Sequence, residues 1–587
     1  MVSVFHSVLD KLKGKLNSYL YNEQISPFLD IIEEKLHVFR VFLRVIGWGN
    51  DFLCNFIGIL YPTFASVLTL KIPGMFDERA LLTYWFVYAL LGCVEYFLHR
   101  LFDFFMFYWL GKCIFLVWFM MSGAQLINRR FFPKDEAPEN LESNIDIIPE
   151  ESFSLEEYIT ENADSTTLDL SVKGINGENI QIVADALRTN TTCTKLELTA
   201  NAIDSEGIRI LSDALKTNTT LQSIDFSNTG ITPEAVQHLS NTLKENTSII
   251  SLQFFNNELG SEGAKYLSDI LRTNTTLRTL DIGFTRIGAE GVKHIADALR
   301  TNKGLIELSI QANEMGDEGA QAMAEALRSN QTLEQLTIFN NGIAEKGVQC
   351  LFDSLQDNQT LTSLVMDSSI IGAKGSEQLA NILRTNKTLT NLSIDSCELK
   401  NEDIQHLING LETNTVLNKL CLSSNNLGNE GAQYVANSLQ NNTTLTSLNI
   451  GWNEIENTGA AYLADALTNN KTLIEVDLSG NKIGDEGAQY LADSLRNNKT
   501  LTTLNLSGNR IGDEGVQYLA GSLRDNKTLT ALDLSRIKIG DDGVQYLSTV
   551  LANNETLTKL SLTMNDIGEK GRQAIESKKN PGLTVDL

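Results

Sequence analysis

The apolar side chains of this chain follow two regimes. From about residue 165 onward, leucine and isoleucine recur in a fixed frame, L-x-x-L-x-L-x-x-N-x-I. It starts at 165, 193, 221, 249, 277, 305, 333, 361, 389, 417, 445, 473, 501, 529 and 557. That is fifteen units of 28 residues without insertion, closed by a truncated sixteenth strand, LTVDL, at 583–587. Between 36 and 121 the apolar residues run almost continuously and are rich in Phe, Tyr, Trp, Leu and Val. Two halves adapted to different solvents follow from this contrast.

Within one unit, LTTLNLSGNRIGDEGVQYLAGSLRDNKT (501–528), Leu501, Leu504 and Leu506 have the spacing of a short strand and its entry. Ile511, Val516, Leu519 and Leu523 then switch to the three-and-four spacing of a helix, whose first turn carries Asp513 and Glu514 where the helix dipole favours negative charge. Each unit is therefore strand, turn and helix. A single unit cannot bury its apolar face alone, so the units are expected to stack into a curved solenoid with parallel strands lining the inside. These motifs resemble ribonuclease-inhibitor-type leucine-rich repeats over 165–587. The expected fold class is α/β: an all-α membrane hairpin domain followed by a horseshoe of about fifteen strand-helix units.

The frame absorbs several motifs that would otherwise suggest chemistry. Twelve Asn-x-Ser/Thr sequons fall in one register, among them Asn190, Asn218, Asn274, Asn442 and Asn526. The same asparagine also occurs at 162, 302 and 414, where there is no sequon. A helix-terminal asparagine in the left-handed conformation accounts for all of them. His238, His294 and His406 share the offset occupied elsewhere by Tyr266, Tyr434 and Tyr490, which places them on a helix surface. The Gly-Asp-Glu-Gly strings mark helix starts. No nucleophile-base pair, phosphate-binding glycine loop or Cys/His cluster stands out, so no enzymatic activity, metal or cofactor is expected.

What remains is a binding surface. Strand side chains at offsets 2, 4 and 6 alternate away from the core toward the concave side, with offset 7 at its rim. Most of these positions hold Ser, Thr, Gly, Asn or Asp, but Phe255, Phe284, Phe339 and Trp452 are large aromatics. A row of acids accompanies them: Asp225, Asp281, Asp367, Asp395, Asp477 and Asp533. Aromatic anchors in an acidic setting suit a protein or peptide with basic groups. The alternative, drift on an unconstrained surface, is equally compatible with the sequence.

The apolar half contains three segments, Phe52 to Leu70, Leu81 to Leu98 and Leu101 to Met121, each close to the roughly 20 residues of a spanning helix. Each carries interruptions: Asn55 and Pro62, then Glu95, then Asp103 and Lys112. Gaps of ten and two residues separate them, which favours short hairpins over independent spans. Phe5, Val8, Leu9, Leu12 and Leu16, beside Lys11, Lys13 and Lys15, form one candidate interfacial helix face; Ile25, Phe28, Leu29, Ile32, Leu36 and Phe39 form a second, for which a small soluble helical hairpin covering the membrane domain is an equal alternative. The N-terminus has no charged region followed by an unbroken apolar core, so no cleavable leader is expected.

Residues 50–130 resemble the receptor expression-enhancing (deleted-in-polyposis, yeast Yop) family of endoplasmic-reticulum membrane shapers. The resemblance is carried by Tyr61-Pro62; by Leu82-Thr83-Tyr84-Trp85 with Tyr88 and Glu95; and by Phe107-Tyr108 with Lys112 and Phe115-Leu116-Val117-Trp118. Met106 departs from it, standing where that family commonly has proline. The resemblance implies short intramembrane hairpins that wedge one leaflet of the lipid bilayer, homo-oligomerise and favour curvature, without catalysis. If Val38 to Gly49 pairs with Phe52 to Leu70, both termini face the cytosol. If only three segments cross, the repeats face the lumen and the sequons become substrates. Arg129, Arg130 and Lys134 after the last segment favour a cytosolic exit.

The formal charge of −26 argues against nucleic acid as a partner. Seven cysteines do not form a disulfide framework, in keeping with a reducing compartment. Residues 133–165 are strongly acidic and read as an extended linker, in which Ile147, Ile148, Phe153, Leu155 and Tyr158 offer a cap for the first repeat. The expected organisation is amphipathic helices at 1–48, the hairpin domain at 49–134, linker and cap at 135–164, and repeats at 165–587. Together these predict a scaffold on the endoplasmic reticulum membrane that recruits a protein through its repeats. The alternative is a membrane-shaping or trafficking protein whose repeats serve as an oligomerising or regulatory head.

Overall fold

The structure is a computed structural model and describes residues 154–578 and 580–587. The hairpin segments, the interfacial helices and most of the linker lie outside the described residues. So do Tyr61, Pro62, Thr83, Tyr84, Trp85, Tyr88, Glu95, Phe107, Tyr108, Lys112 and Trp118. Among the described residues no helix is long and apolar enough to cross a membrane.

The 28-residue frame folds as strand and helix in strict alternation. Sixteen three-residue strands, from Thr167–Asp169 to Thr584–Asp586, form one parallel sheet whose spatial order is the chain order. Every pairing up to the fifteenth strand joins residues 28 apart, so that Leu448 pairs with Val476 and Val476 in turn with Leu504. The central residue of each strand is buried or nearly so, while its neighbours on either side turn away from the core, as the period of two requires. The helices, such as Asp513–Leu523, turn Val516, Leu519, Ala520 and Leu523 onto the back of the sheet. Leu501, Leu504, Leu506 and Ile511 meet them there with almost no exposure, so each repeat completes the core of the one before it.

Two side-chain ladders hold neighbouring repeats together. In the first, the asparagine of the repeat frame lies inside the turn after the strand. Asn453 Nδ2 donates to the carbonyls of Leu422 (2.9 Å) and Gly451 (3.0 Å), and its Oδ1 accepts from the amides of Asn425 (2.8 Å) and Leu427 (3.3 Å). In the second, the asparagine after each helix reaches back one repeat. Asn442 Nδ2 donates to Leu411 O (3.0 Å), while its Oδ1 accepts from the amides of Thr444 (3.1 Å) and Leu445 (2.8 Å). These bonds satisfy buried backbone groups that would otherwise cost about 1–3 kcal/mol each. The helix-terminal asparagines are thus structural, but the left-handed conformation expected for them is absent where their dihedrals are described. Asn190, Asn274, Asn330 and Asn498 have φ between −66° and −76° with extended ψ. Reaching the previous helix end, rather than tolerating an unusual backbone, is what selects asparagine here.

The first ladder is interrupted singly at Thr229, Thr285 and Ile537, and in two consecutive repeats at Ser369 and Cys397. Ser369 takes the asparagine position, and its buried Oγ has no hydrogen-bond partner. Cys397 follows in the next repeat, where its thiol lies 3.4 Å from Asp395 O and 3.7 Å from Met366 O. At the start of the array, the helix Leu155–Glu161 covers the first repeat. It is capped by Ser154 and buries Leu155 and Ile159, while Tyr158 Oη donates to Asp169 O at 3.0 Å.

The Gly-Asp-Glu-Gly strings also gain a second role. Asp513 Oδ1 accepts the amides of Gly540 (2.8 Å) and Gly543 (3.0 Å), at the start of the next repeat's helix. Asp485 does the same for Gly512 and Gly515, and Asp541 for Gly568 and Gly571. Each acid therefore caps the helix after its own.

Candidate functional site

The turn that follows each strand sets the outer edge of the face on which the strand side chains turn away from the core. The residue at offset 7 of all fifteen repeats, from Val172 to Met564, has φ between +52° and +68°. An L-residue other than Gly, Asn or Asp enters this region at a cost of roughly 1–2 kcal/mol. Most repeats meet the requirement with small or polar residues such as Asn228, Asn256, Asn340, Ser396, Gly480 and Gly508. Five do not: Val172, Phe284, Trp452, Arg536 and Met564. Four of these are prominently exposed, at 75% for Val172, 41% for Phe284, 62% for Trp452 and 71% for Met564. Aromatic character alone singles out Phe284 and Trp452 in the sequence and misses Val172, Arg536 and Met564. Their shared offset is the signal that finds them.

The four aromatic candidates do not form one cluster. Phe255 and Phe284, from adjacent repeats, come within 5.1 Å of each other with their rings tilted by 59°. Phe339 is half-buried three repeats beyond Phe255, at the same offset. Trp452 stands in the later repeats, its ring lying across Gly480. A methyl group on Gly480 would overlap the Trp452 indole, so the flat ring and the glycine beneath it depend on each other. The stacked pair Phe226 and Phe254, 5.5 Å apart, is fully buried and belongs to the core.

The six acids separate into two rows. Asp225, Asp281, Asp477 and Asp533 share one strand position, and each accepts the amide two residues ahead. The partners are Ser227 (2.7 Å), Gly283 (2.9 Å), Ser479 (2.8 Å) and Ser535 (2.9 Å). These carboxylates fix the turn that presents offset 7. Asp367 and Asp395 lie two positions farther along their repeats and form an inter-repeat chain: Asp367 accepts from Asp395 N (2.9 Å) and Ser393 Oγ (2.7 Å), and Asp395 accepts from Ser423 N (2.6 Å). Burial pushes the Asp395 carboxyl up to about 6, and the charges of Asp367 and Asp477 push in the same direction. Burial also raises Asp281 above the usual carboxylate range.

The nearby thiols have little nucleophilic character. Burial pushes Cys397 up to about 12 and Cys421 up to about 11, where the thiolate is a minor species at neutral pH. His238, His294 and His406 lie on helices, away from the strand face. Among the described residues, no group of three or more His, Cys, Asp or Glu is placed to hold a metal ion.

Comparison with known proteins separates the same two halves. Residues 62–134 match the TB2/DP1, HVA22 family. Receptor expression-enhancing protein 6 of Danio rerio is 30% identical over 162 residues, which cover 24% of this chain and 78% of the relative. The chain belongs to the TB2/DP1, HVA22 family. Receptor expression-enhancing protein 6 of Homo sapiens is 33% identical over 21% of this chain and 65% of its own length. Protein YOP1 of Saccharomyces cerevisiae is 32% identical over 16% of this chain, which spans about half, 53%, of that relative.

In the other half, residues 283–401 and 462–581 match the TMOD/LMOD leucine-rich domain, and 217–240, 245–268, 413–436 and 441–464 match the leucine-rich repeat. The expected repeat identity is therefore shown together with the family of the first half. A chain of the yeast Rad7 and Elc1 complex aligns over 70% of this chain and 92% of its own, with 18% identity and a TM-score of 0.43. That likeness is too distant to support a functional reading.

Proposed function

We propose that this protein is a non-enzymatic membrane scaffold. Hairpins in residues 49–134 hold it in the endoplasmic reticulum membrane, and the solenoid of residues 165–587 recruits a protein partner through its concave face on the cytosolic side. Residues 1–48 lie along the interface as amphipathic helices, and 135–164 act as acidic spacer and cap. The hairpin motif around Tyr61-Pro62, Thr83-Tyr84-Trp85 and Phe107-Tyr108 supports residence in a bilayer, homo-oligomerisation and a preference for curvature.

The observation that carries the recruiting role is the set of bulky, exposed side chains at left-handed positions. Phe284, Trp452, Val172 and Met564 leave apolar surface in water at sites where asparagine or glycine suits the backbone better. Folding stability gives no reason to keep them, whereas a partner that buries them does. Phe255 and Phe339 extend the surface, and Asp225, Asp281, Asp367, Asp395, Asp477 and Asp533 give it the charge to attract basic groups.

The test is affinity purification of the tagged full chain from solubilised reticulum membranes, compared with a variant carrying Phe255→Ala, Phe284→Ala, Phe339→Ala and Trp452→Ala. The expected result is loss of specific partners from the variant at equal membrane content. Identical partner sets would remove the recruiting role from this face.

A further inference from the structure

We propose that the notch formed by Phe255, Phe284 and Asp281 is an anchor site for one arginine side chain of the bound protein. This rests on the concave-face reading above and narrows it to a single station with a defined chemistry. The two ring centroids stand 5.1 Å apart at 59° to one another, and Phe284 is 41% exposed. Phe284 holds φ = +56° to stay there.

Asp281 pairs in register with Gln253 on the neighbouring strand, and Phe255 follows Gln253 by two residues on the same face. That makes Asp281 and Phe255 diagonal neighbours across the parallel strand pair. Asp281 is half-buried, its carboxylate held by the Gly283 amide (2.9 Å) and by the side chains of Ser309 and Gln311. Gln311 covers Gly283 so closely that a methyl group there would overlap its amide, which closes the floor of the notch.

Among the described residues no lysine or arginine pairs with Asp281. Of the three arginines of its own repeat, Arg278 bonds to Gly304 O (2.5 Å), Arg286 pairs with Glu258 (2.9 Å) and Arg300 stands at the C-terminal end of the helix Gly288–Leu299. An incoming cation therefore meets an aromatic side chain and a half-buried carboxylate without a cationic partner. A guanidinium suits this better than an ammonium, because its plane can stack on a ring while its fork reaches the carboxylate.

The test uses the detergent-solubilised full chain and fluorescein-labelled hexa-arginine, hexa-lysine and hexa-citrulline peptides, with binding read by fluorescence anisotropy. The expected order is arginine, then lysine, with citrulline at least about tenfold weaker than arginine because it keeps the shape and loses the charge. Phe284→Asn, which suits the left-handed backbone, and Asp281→Asn, which keeps an acceptor for the Gly283 amide, should each weaken hexa-arginine by about tenfold. Trp452→Asn should weaken it less. Equal losses in all three variants would make the attraction diffuse and overturn the station. If Trp452→Asn weakens binding while the two notch variants do not, the concave reading stands and the arginine station falls. If none of the three matters, or citrulline binds as well as arginine, both fall.

Discussion

At the scale of single residues, Asp395 has an unusual environment with a consequence for stability. Its carboxyl is pushed from an ordinary 3.8 up to about 6, first by burial and then by Asp367 and Asp477, while the Ser423 amide and Lys419 pull the other way. The folded protein therefore keeps a proton between about pH 4 and 6 that the unfolded chain has released. Stability falls as pH rises through this window and levels off above it. Asp395→Asn should remove that slope, since the amide side chain does not titrate and can still accept the Ser423 N–H. Urea midpoints of the full chain and the variant at about pH 4.5 and 7 measure the difference. A wild-type slope that persists in Asp395→Asn would assign it to other carboxyls.

At the scale of the repeat, what is legible in the sequence and what is not have separate physical causes. Strand, turn and helix can be read because apolar spacing reports directly on which side chains share a face, as with Leu504, Leu506, Val516 and Leu519. The helix-terminal asparagines are recognisable as structural from their register, but their reach to the previous repeat is invisible there, since it joins atoms 31 residues apart. The left-handed turn is equally hidden. Nothing in the local pattern around Trp452 announces φ = +54°; the signal is the offset it shares with Asn228, Asn256, Asn340, Gly480 and Gly508 in other repeats. The station at Phe255 and Phe284 is half legible: the two residues are picked out by size, but their contact spans two repeats. The strained turn predicts two stability changes of opposite sign. Trp452→Asn should stabilise the array by about 0.5–1 kcal/mol by relieving the backbone, and Gly480→Ala should destabilise it by about 1–2 kcal/mol through its own positive φ and the displaced ring. Denaturant titrations that give the two variants the same sign would overturn the coupling between the ring and the turn.

At the scale of the whole molecule, the repeat sequons bear on which side of the membrane the array lies. Asn218, Asn274, Asn442 and Asn526 are buried, and each Nδ2 donates to a carbonyl of the preceding repeat. A glycan on any of these nitrogens would remove that donor and place sugar inside the interface between repeats, so the intact array offers no acceptor at these sites. An acceptor outside the array answers the question. Asp146→Thr turns Asn144-Ile145-Asp146 of the linker into a sequon 23 residues beyond Met121, the end of the last apolar segment. With the repeats on the cytosolic side, translation of this variant into microsomes should give no endoglycosidase-sensitive mass shift. A shift in the variant alone would place the linker and the array in the lumen and reverse the proposed orientation, while leaving the repeat architecture and its concave face untouched.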